Sequence, residues 1–499
     1  MKRFLWLGFV LFVYLICSGC GDTFRPIIIP NPPTFPDPKA AHTVVSINGD
    51  EINDKGTLVP MLGSAMVIDV SGDSAVSVAD VGLAPVHAVQ QTGNEVLVLN
   101  QAVTGLNVPT TSCLVPVPPP PSLPEHVFNV CSSITKLNFN GTIIATKNTI
   151  SLPIYSGANF VAVAPTDTLA YVTLPTYPQD PTNPQVMTPS VGVVNTQGNN
   201  LFAPPTPVGK NPVAIAVTPN KSKVYVANHD DGTISAFNTN AGNLSSRTIN
   251  GSFNAPLWVI ARSDSQRVYV LNGNGVVSTI DTTSTAGPDN VIDASVTAPL
   301  ATYMLYDSNL NRLYIPGGGQ LTILDVSPSK PVVLAGGPIP IPTVASGSRG
   351  TSDPCSSTTA QTGLTVAAVA ALPDGTRAYV GAYYQDSLDN ICPQVAVIDV
   401  KSDTVKSFFG VPGFPDATNP TSLYYAPACA TARFRMTMAA AGDSSRAYLA
   451  SCDGGNVNII DTSNDTYIEN LQAPVGSRPP ILPSPLNPPQ NPVFLFAGP

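Results

Sequence analysis

Three features predict an all-β chain built as a β-propeller of four-stranded blades. A Tyr-centred strand pattern returns along most of the sequence. A second apolar strand, often ending in Asp, follows it. The composition favours turns over helices, with 52 Pro and 38 Gly in 499 residues and charged residues at 11%, against roughly 25% in an ordinary globular protein. Proline and glycine at that density interrupt long helices and serve tight connections.

The Tyr strand reads LAYVTL at Tyr171, KVYVAN at Tyr225, RVYVLN at Tyr269, RLYIPG at Tyr314, RAYVGA at Tyr379 and RAYLAS at Tyr448, and EVLVLN at Leu97 has Leu in the Tyr position. The strand after it reads VVSTIDT, LTILDV, VAVIDV and VNIIDT, with Asp281, Asp325, Asp399 and Asp461 near its end. Such an Asp caps the following turn through its side chain. A third apolar run precedes each Tyr strand (PVAIAVTP, PLWVIARS, ATYMLYDS, TVAAVAALP, RMTMAAAG), and a less regular fourth follows the Asp. We name these strands A, B, C and D, with the Tyr in B. Tyr225 to Tyr269 and Tyr269 to Tyr314 span 44 and 45 residues by their numbering, and a four-stranded unit of roughly 40–45 residues is a propeller blade. Alternating β-branched and aromatic residues suit strands packed between neighbouring sheets.

Seven copies of strand B account for seven blades. The N-terminal runs TVVSIN, MVIDV and AVSVADV read as strands B, C and D, and the C-terminal PVFLFAG reads as a strand A. Together they make an eighth blade that closes the ring with both chain ends. Eight blades are favoured, and seven, with the end strands as a decorating edge, is the alternative.

The motifs YVAN, YVLN and YVTL, followed by VIDV, TIDT or IIDT, resemble the YVTN family of β-propeller repeats from Val44 to the C-terminus. The resemblance implies the fold and leaves the activity open, since one fold hosts many functions. Propellers with this repeat style include lactonase-like and dehydrogenase-like enzymes.

The first residues read as a secretion signal. Lys2 and Arg3 precede the apolar run Phe4–Ile16, whose 13 residues fall short of the roughly 20 that span a bilayer. Ser18 and Gly19 before Cys20 resemble a bacterial lipobox, although Cys17 stands where Leu is usual and Gly21, not Asp, follows. The expectation is a signal peptide over 1–19, a lipidated Cys20 with a proline-rich tether over 20–41, and one propeller domain over 42–499. The membrane is then a partner through the lipid, at the outer membrane or cell surface. The tether segment PIIIPNPPTFPDP favours extended polyproline geometry.

In an antiparallel blade the B–C and D–A loops share one face, and the A–B and C–D loops the other. The long insertions all fall in B–C or D–A positions, among them TSCLVPVPPPPSLPEHVFNVCSS, TYPQDPTNPQVMTPS and GAYYQDSLDNICPQ. They are expected to lack secondary structure of their own. The six cysteines outside the signal segment lie in the same loops. Shared loops and faces predict bridges Cys113–Cys131, Cys355–Cys392 and Cys429–Cys452, consistent with an exported protein. Tyr177, Tyr383, Tyr384, Tyr424 and Tyr425 fall in these loops and are candidate binding-face residues, because exposed Tyr is enriched at recognition surfaces.

A net charge of −9 opposes nucleic-acid binding. The four histidines, His42, His87, His126 and His229, lack ligand spacing, so neither metal nor cofactor is expected. His229-Asp230-Asp231-Gly232 reads as a hairpin turn. The functional expectation is a monomeric binding or scaffolding module, contacting an envelope protein or polysaccharide through the elaborated face. The alternative is an enzyme with acid–base groups at the mouth of the central channel.

Overall fold

The computed structural model describes residues 43–498 apart from internal stretches, the longer being 102–113, 118–125, 416–428 and 473–490. The segments expected as leader and tether, together with Cys20, Cys113, Tyr424 and Tyr425, lie outside the described residues.

The described residues form eight antiparallel sheets, each with four strands in the order A–B–C–D, together with two separate two-stranded ribbons. The chain is an eight-bladed β-propeller. The A strands of blades 1–7 are Pro85–Gln91, Phe160–Val163, Pro212–Val217, Pro256–Ala261, Leu305–Asp307, Thr365–Ala371 and Met436–Ala440. They form the edges that meet around the ring axis. Blade 8 takes strand A from Asn491–Ala497 and strands B, C and D from Thr43–Asp54, Thr57–Asp69 and Ser74–Leu83. Val45 pairs with Phe496 and Ile47 with Phe494, so the closure joins both chain ends through a backbone ladder.

Blade 3 shows why the repeat folds as it does. Strand B, Lys223–Asn228, is buried at every position, because another blade covers each face of its sheet. Tyr225 faces Ala216 of strand A and Ala236 of strand C, two small partners that leave room for its ring. Tyr171, Tyr225, Tyr269, Tyr314, Tyr379 and Tyr448 are all fully buried. Apolar clusters fill the interfaces between blades, as where Tyr448 of blade 7 packs with Val44, Met66 and Ile68 of blade 8.

The Asp after strand C acts as the sequence suggests. Oδ1 of Asp281, Asp325, Asp399 and Asp461 each accepts a backbone N–H two residues on, at 2.8–3.0 Å. Of the five basic residues opening strand B, Arg267 pairs with Asp281 of its own blade at 3.0 Å, and the other four tie their blade to the C–D connection of the next. Lys223 reaches Asp289 at 2.6 Å, Arg312 reaches Asp403 at 2.7 Å, Arg377 reaches Asp465, and Arg446 reaches Asp73 at 3.0 Å. Asp73, Asp403 and Asp465 hold φ of 48°, 53° and 58°, a left-handed conformation that Asp tolerates better than most residues.

The insertions differ from expectation. The first two long B–C segments contain ribbons of their own, Leu114–Val117 with His126–Asn129 and Pro178–Asp180 with Asn183–Met187. In blade 6, strand B continues to Gln385 and strand C begins at Asn390. Tyr383 and Tyr384 are therefore strand residues, paired with Pro393 and Cys392. The alternation of the Tyr strand simply carries on past the length seen in its sister blades.

Candidate functional site at the channel mouth

Hydrogen bonds between loops follow the two-face arrangement. On the plain face, A–B turns of adjacent blades interlock: Asn220 N–H donates to Ser265 Oγ at 2.9 Å and Asp374 N–H to Ser444 Oγ at 2.9 Å. On the other face, B–C turns dock on D–A segments. Lys210 N–H donates to Asp231 at 2.7 Å and Asn211 Nδ2 to Asp230 at 3.0 Å, so the His229–Gly232 segment is a docked turn.

The disulfides stiffen this elaborated face. Cys355–Cys392 and Cys429–Cys452 are bonded. Cys131 is also in a disulfide, and its predicted partner Cys113 lies outside the described residues. Asp386 sits 3.7 Å from Cys392 Sγ. With both sulfurs held in a disulfide, this group has no thiolate to offer a metal. The Asp386 carboxylate instead accepts from Leu388 N–H and Asn390 N–H at 2.9 and 2.8 Å and shapes the turn.

The described candidate tyrosines, Tyr177, Tyr383 and Tyr384, serve mainly as packing. Tyr384 is buried beside the Cys355–Cys392 bridge, with the Arg349 guanidinium 5.7 Å from its ring centroid. That corrects its assignment to an exposed recognition surface. Tyr383 is half-buried against the core between blades 6 and 7, and Arg435 lies 5.8 Å from its ring. Tyr177 packs half-buried against blades 1 and 2.

The more distinctive group lies in the channel. In blade after blade, the A-strand residue opposite the second residue past the strand-B Tyr defines one level of the ring. That level holds His87, Phe160, Ala214, Trp258, Ala368, Thr437 and Phe494, paired with Leu99, Thr173, Ala227, Leu271, Gly381, Ala450 and Ile47. Tyr303 occupies the matching place two residues before Leu305, which pairs with Tyr314. The aromatic members touch across blades. His87 stacks on Phe160 at 4.1 Å, Phe160 meets Trp258 edge-on at 5.1 Å, and Trp258 meets Tyr303 at 5.9 Å.

Two residues enter this collar from the D–A segment ahead of blade 7. Phe434 packs on Trp258 at 5.9 Å, Tyr303 at 5.7 Å and Phe494 at 6.4 Å. Arg433 crosses to blades 3 and 4, donating to Val213 O at 2.6 Å and Leu257 O at 3.5 Å. Its guanidinium lies 4.9 Å from the Phe160 ring centroid, 5.1 Å from Trp258 and 5.7 Å from Phe434. Such contacts are each worth about 0.5–2 kcal/mol. Arg433, Trp258, Tyr303 and Phe434 are half-buried, as side chains lining a lumen are.

Charge at this level is unbalanced. Burial alone pushes the Arg433 guanidinium down to about 10. Every other described arginine has a carboxylate within reach: Arg247, Arg262, Arg267, Arg312, Arg349, Arg377, Arg435 and Arg446. His87 is buried too. Desolvation, followed by the charge of Arg433, pushes its imidazole down to about 3, against a weaker opposing hydrogen bond to the Val161 backbone. It stays neutral near pH 7, with Nδ1 lacking a hydrogen-bond partner. The collar thus offers flat apolar surfaces and one uncompensated cation.

The A-strand runs gave a sign of it, since aromatics in LWVI, TYML and VFLF stand where sister blades have Ala or Thr. A separate cleft of about 540 Å3 lies between the outer strands of blades 8 and 1, lined by Val78, Asp80, Thr135 and Thr146 among others. Its charged lining residue is the exposed Asp80, with no cation beside it in the lining.

No family model matches the chain, and no curated protein does. Among solved structures, AztD from Citrobacter koseri is similar in its apo form and in a second crystal structure. Each is 9% identical with a TM-score of 0.51, covering 92% of this chain and 98% and 97% of AztD. A functionally unknown protein from Desulfotomaculum acetoxidans aligns over 69% of this chain and 91% of its own, at 11% identity and TM-score 0.47. At these identities the AztD likeness speaks for the propeller fold alone.

Proposed function

We propose that this chain is a binding or scaffolding module of the cell envelope, of YVTN-repeat type, tethered by a lipid on Cys20 and engaging its ligand through the elaborated face. The observation that carries this reading is the channel end on that face. Its described side chains are aromatic rings and an unpaired guanidinium, suited to holding a ligand. The imidazole present is buried and neutral, so it is poorly placed to pass protons to a substrate. The ribbons and disulfides around the mouth keep the surface rigid, which lowers the entropy lost on binding.

The test is retention. Purified protein lacking residues 1–19 is incubated with envelope extract and with a glycan array, alongside metal analysis and a lactone-hydrolysis assay. The reading expects specific retention of one envelope component. Turnover of a lactone, or a stoichiometric metal with no retained component, would replace it with the enzymatic alternative.

A further inference from the structure

We infer that the collar is a recognition site for a carboxylate carried on a six-membered ring, with Arg433 as the anion receptor and Trp258 and Phe434 as the stacking walls. The inference deepens the binding reading of this face and rests on it.

The first ground is the missing counter-charge. Among the described residues, a carboxylate stands within reach of eight of the nine arginines, and none stands within reach of Arg433. A charge withdrawn from water costs several kcal/mol unless paired. The two carbonyl acceptors and three rings offset part of that cost, and an incoming anion would offset more. A guanidinium is suited to this because its planar fork matches a carboxylate edge.

The second ground is independent of the first. His87 Nδ1 is a buried polar atom with no partner, in a ring stacked on the same Phe160 that Arg433 covers. Buried polar groups are almost always satisfied. A ring nitrogen and a cation that both lack a polar side-chain partner among the described residues thus stand at one level of one channel.

The third ground is shape. Ala214, Ala368 and Thr437 interrupt the aromatic level, so the collar is lined by rings on part of its circumference and by small residues on the rest. The part-exposed rings of Trp258 and Phe434 suit a second ring lying against them. An aromatic acid and a uronic acid share this chemistry, since each joins a stackable ring face to a carboxylate.

The molecule carries a reporter at the site. The sequence has two tryptophans, Trp6 and Trp258. In protein lacking residues 1–19, emission therefore comes from Trp258 alone. That protein is titrated with sodium benzoate, sodium glucuronate, benzamide and glucose. The expected result is a saturable change in Trp258 emission with benzoate or glucuronate, and at least tenfold weaker binding of the uncharged counterpart. Which acid binds separates the aromatic from the sugar source. Arg433→Gln, with an unchanged circular dichroism spectrum, is expected to bind about tenfold or more weakly, and Arg433→Lys to retain part of the affinity. If Arg433→Gln does not fold, the charged-against-uncharged comparison in the unsubstituted protein decides alone. Equal response to acid and neutral probe, or no response to either acid at ~10 mM, well above the about 1 mM of weak binding, overturns the inference. Retention of an envelope component by that same unresponsive protein would show that the binding reading of the face survives the loss.

Discussion

Asp73→Asn should open the seam of the ring. Arg446 of blade 7 grips Asp73 in the C–D turn of blade 8 through Nε at 3.0 Å and Nη2 at 3.1 Å. These residues stand 373 positions apart, so the contact exists only in the closed ring. Asn keeps the shape and tolerates the positive φ, which isolates the charge. The magnitude falls between two limits. Exposed ion pairs contribute about 0–1 kcal/mol, and breaking a buried pair costs about 3–5 kcal/mol. Asp73 is 7% exposed and Arg446 21% exposed at the side chain, and Arg446 keeps Asp461 at 3.5 Å as a second partner. A loss of about 2 kcal/mol is expected. Urea unfolding followed by circular dichroism reads it as a lower midpoint, and a double-mutant cycle with Arg446→Met isolates the pair. A Asp73→Asn midpoint indistinguishable from the parent, with no coupling in the cycle, would refute the idea that these ties hold the blades together.

Other outcomes follow from single residues. His87 is held at about 3 when folded, against roughly 6.5 when unfolded. As pH falls from 6.5 towards 3 the unfolded chain takes up a proton that the folded chain refuses, so stability drops by up to about 1.4 kcal/mol per unit. Unfolding midpoints of His87→Phe across that range should fall less steeply than the parent's, and parallel curves would contradict the assignment. Replacing Cys355 and Cys392 together with Ser should lower stability by about 2–4 kcal/mol and speed proteolysis between residues 343 and 364, read by timed digestion. Labelling with a palmitate analogue in cells should vanish in Cys20→Ser, and persisting label would refute the anchor.

The fold was legible because it is periodic. The strand-B Tyr is buried in six blades by the same pair of neighbouring sheets, so one local pattern recurs and can be counted. Even the closing blade could be read, since its strands A and B–D stand unclaimed at the two ends. The collar was harder to see. His87, Phe160, Trp258, Tyr303 and Phe494 are scattered across the chain in apolar runs that read as ordinary buried strand, and Phe434 lies in a connection between two arginines. Only ring closure brings them to one level. Arg433 gave no local sign, because what distinguishes it is that no carboxylate of the described residues reaches it in the folded ring. Tyr383 and Tyr384 misled for a related reason. Their blade lengthens its B–C hairpin, so residues that elsewhere would leave the sheet remain in it.

The account stands most directly on which face of the propeller meets its ligand. Photo-crosslinking in intact cells can read that. A benzophenone amino acid is placed at Asp231 or Leu388 in exposed B–C turns, and at Lys401 or Ser463 in exposed C–D turns. The account predicts ligand adducts from Asp231 or Leu388 and none from Lys401 or Ser463. Adducts from the C–D positions alone would contradict it.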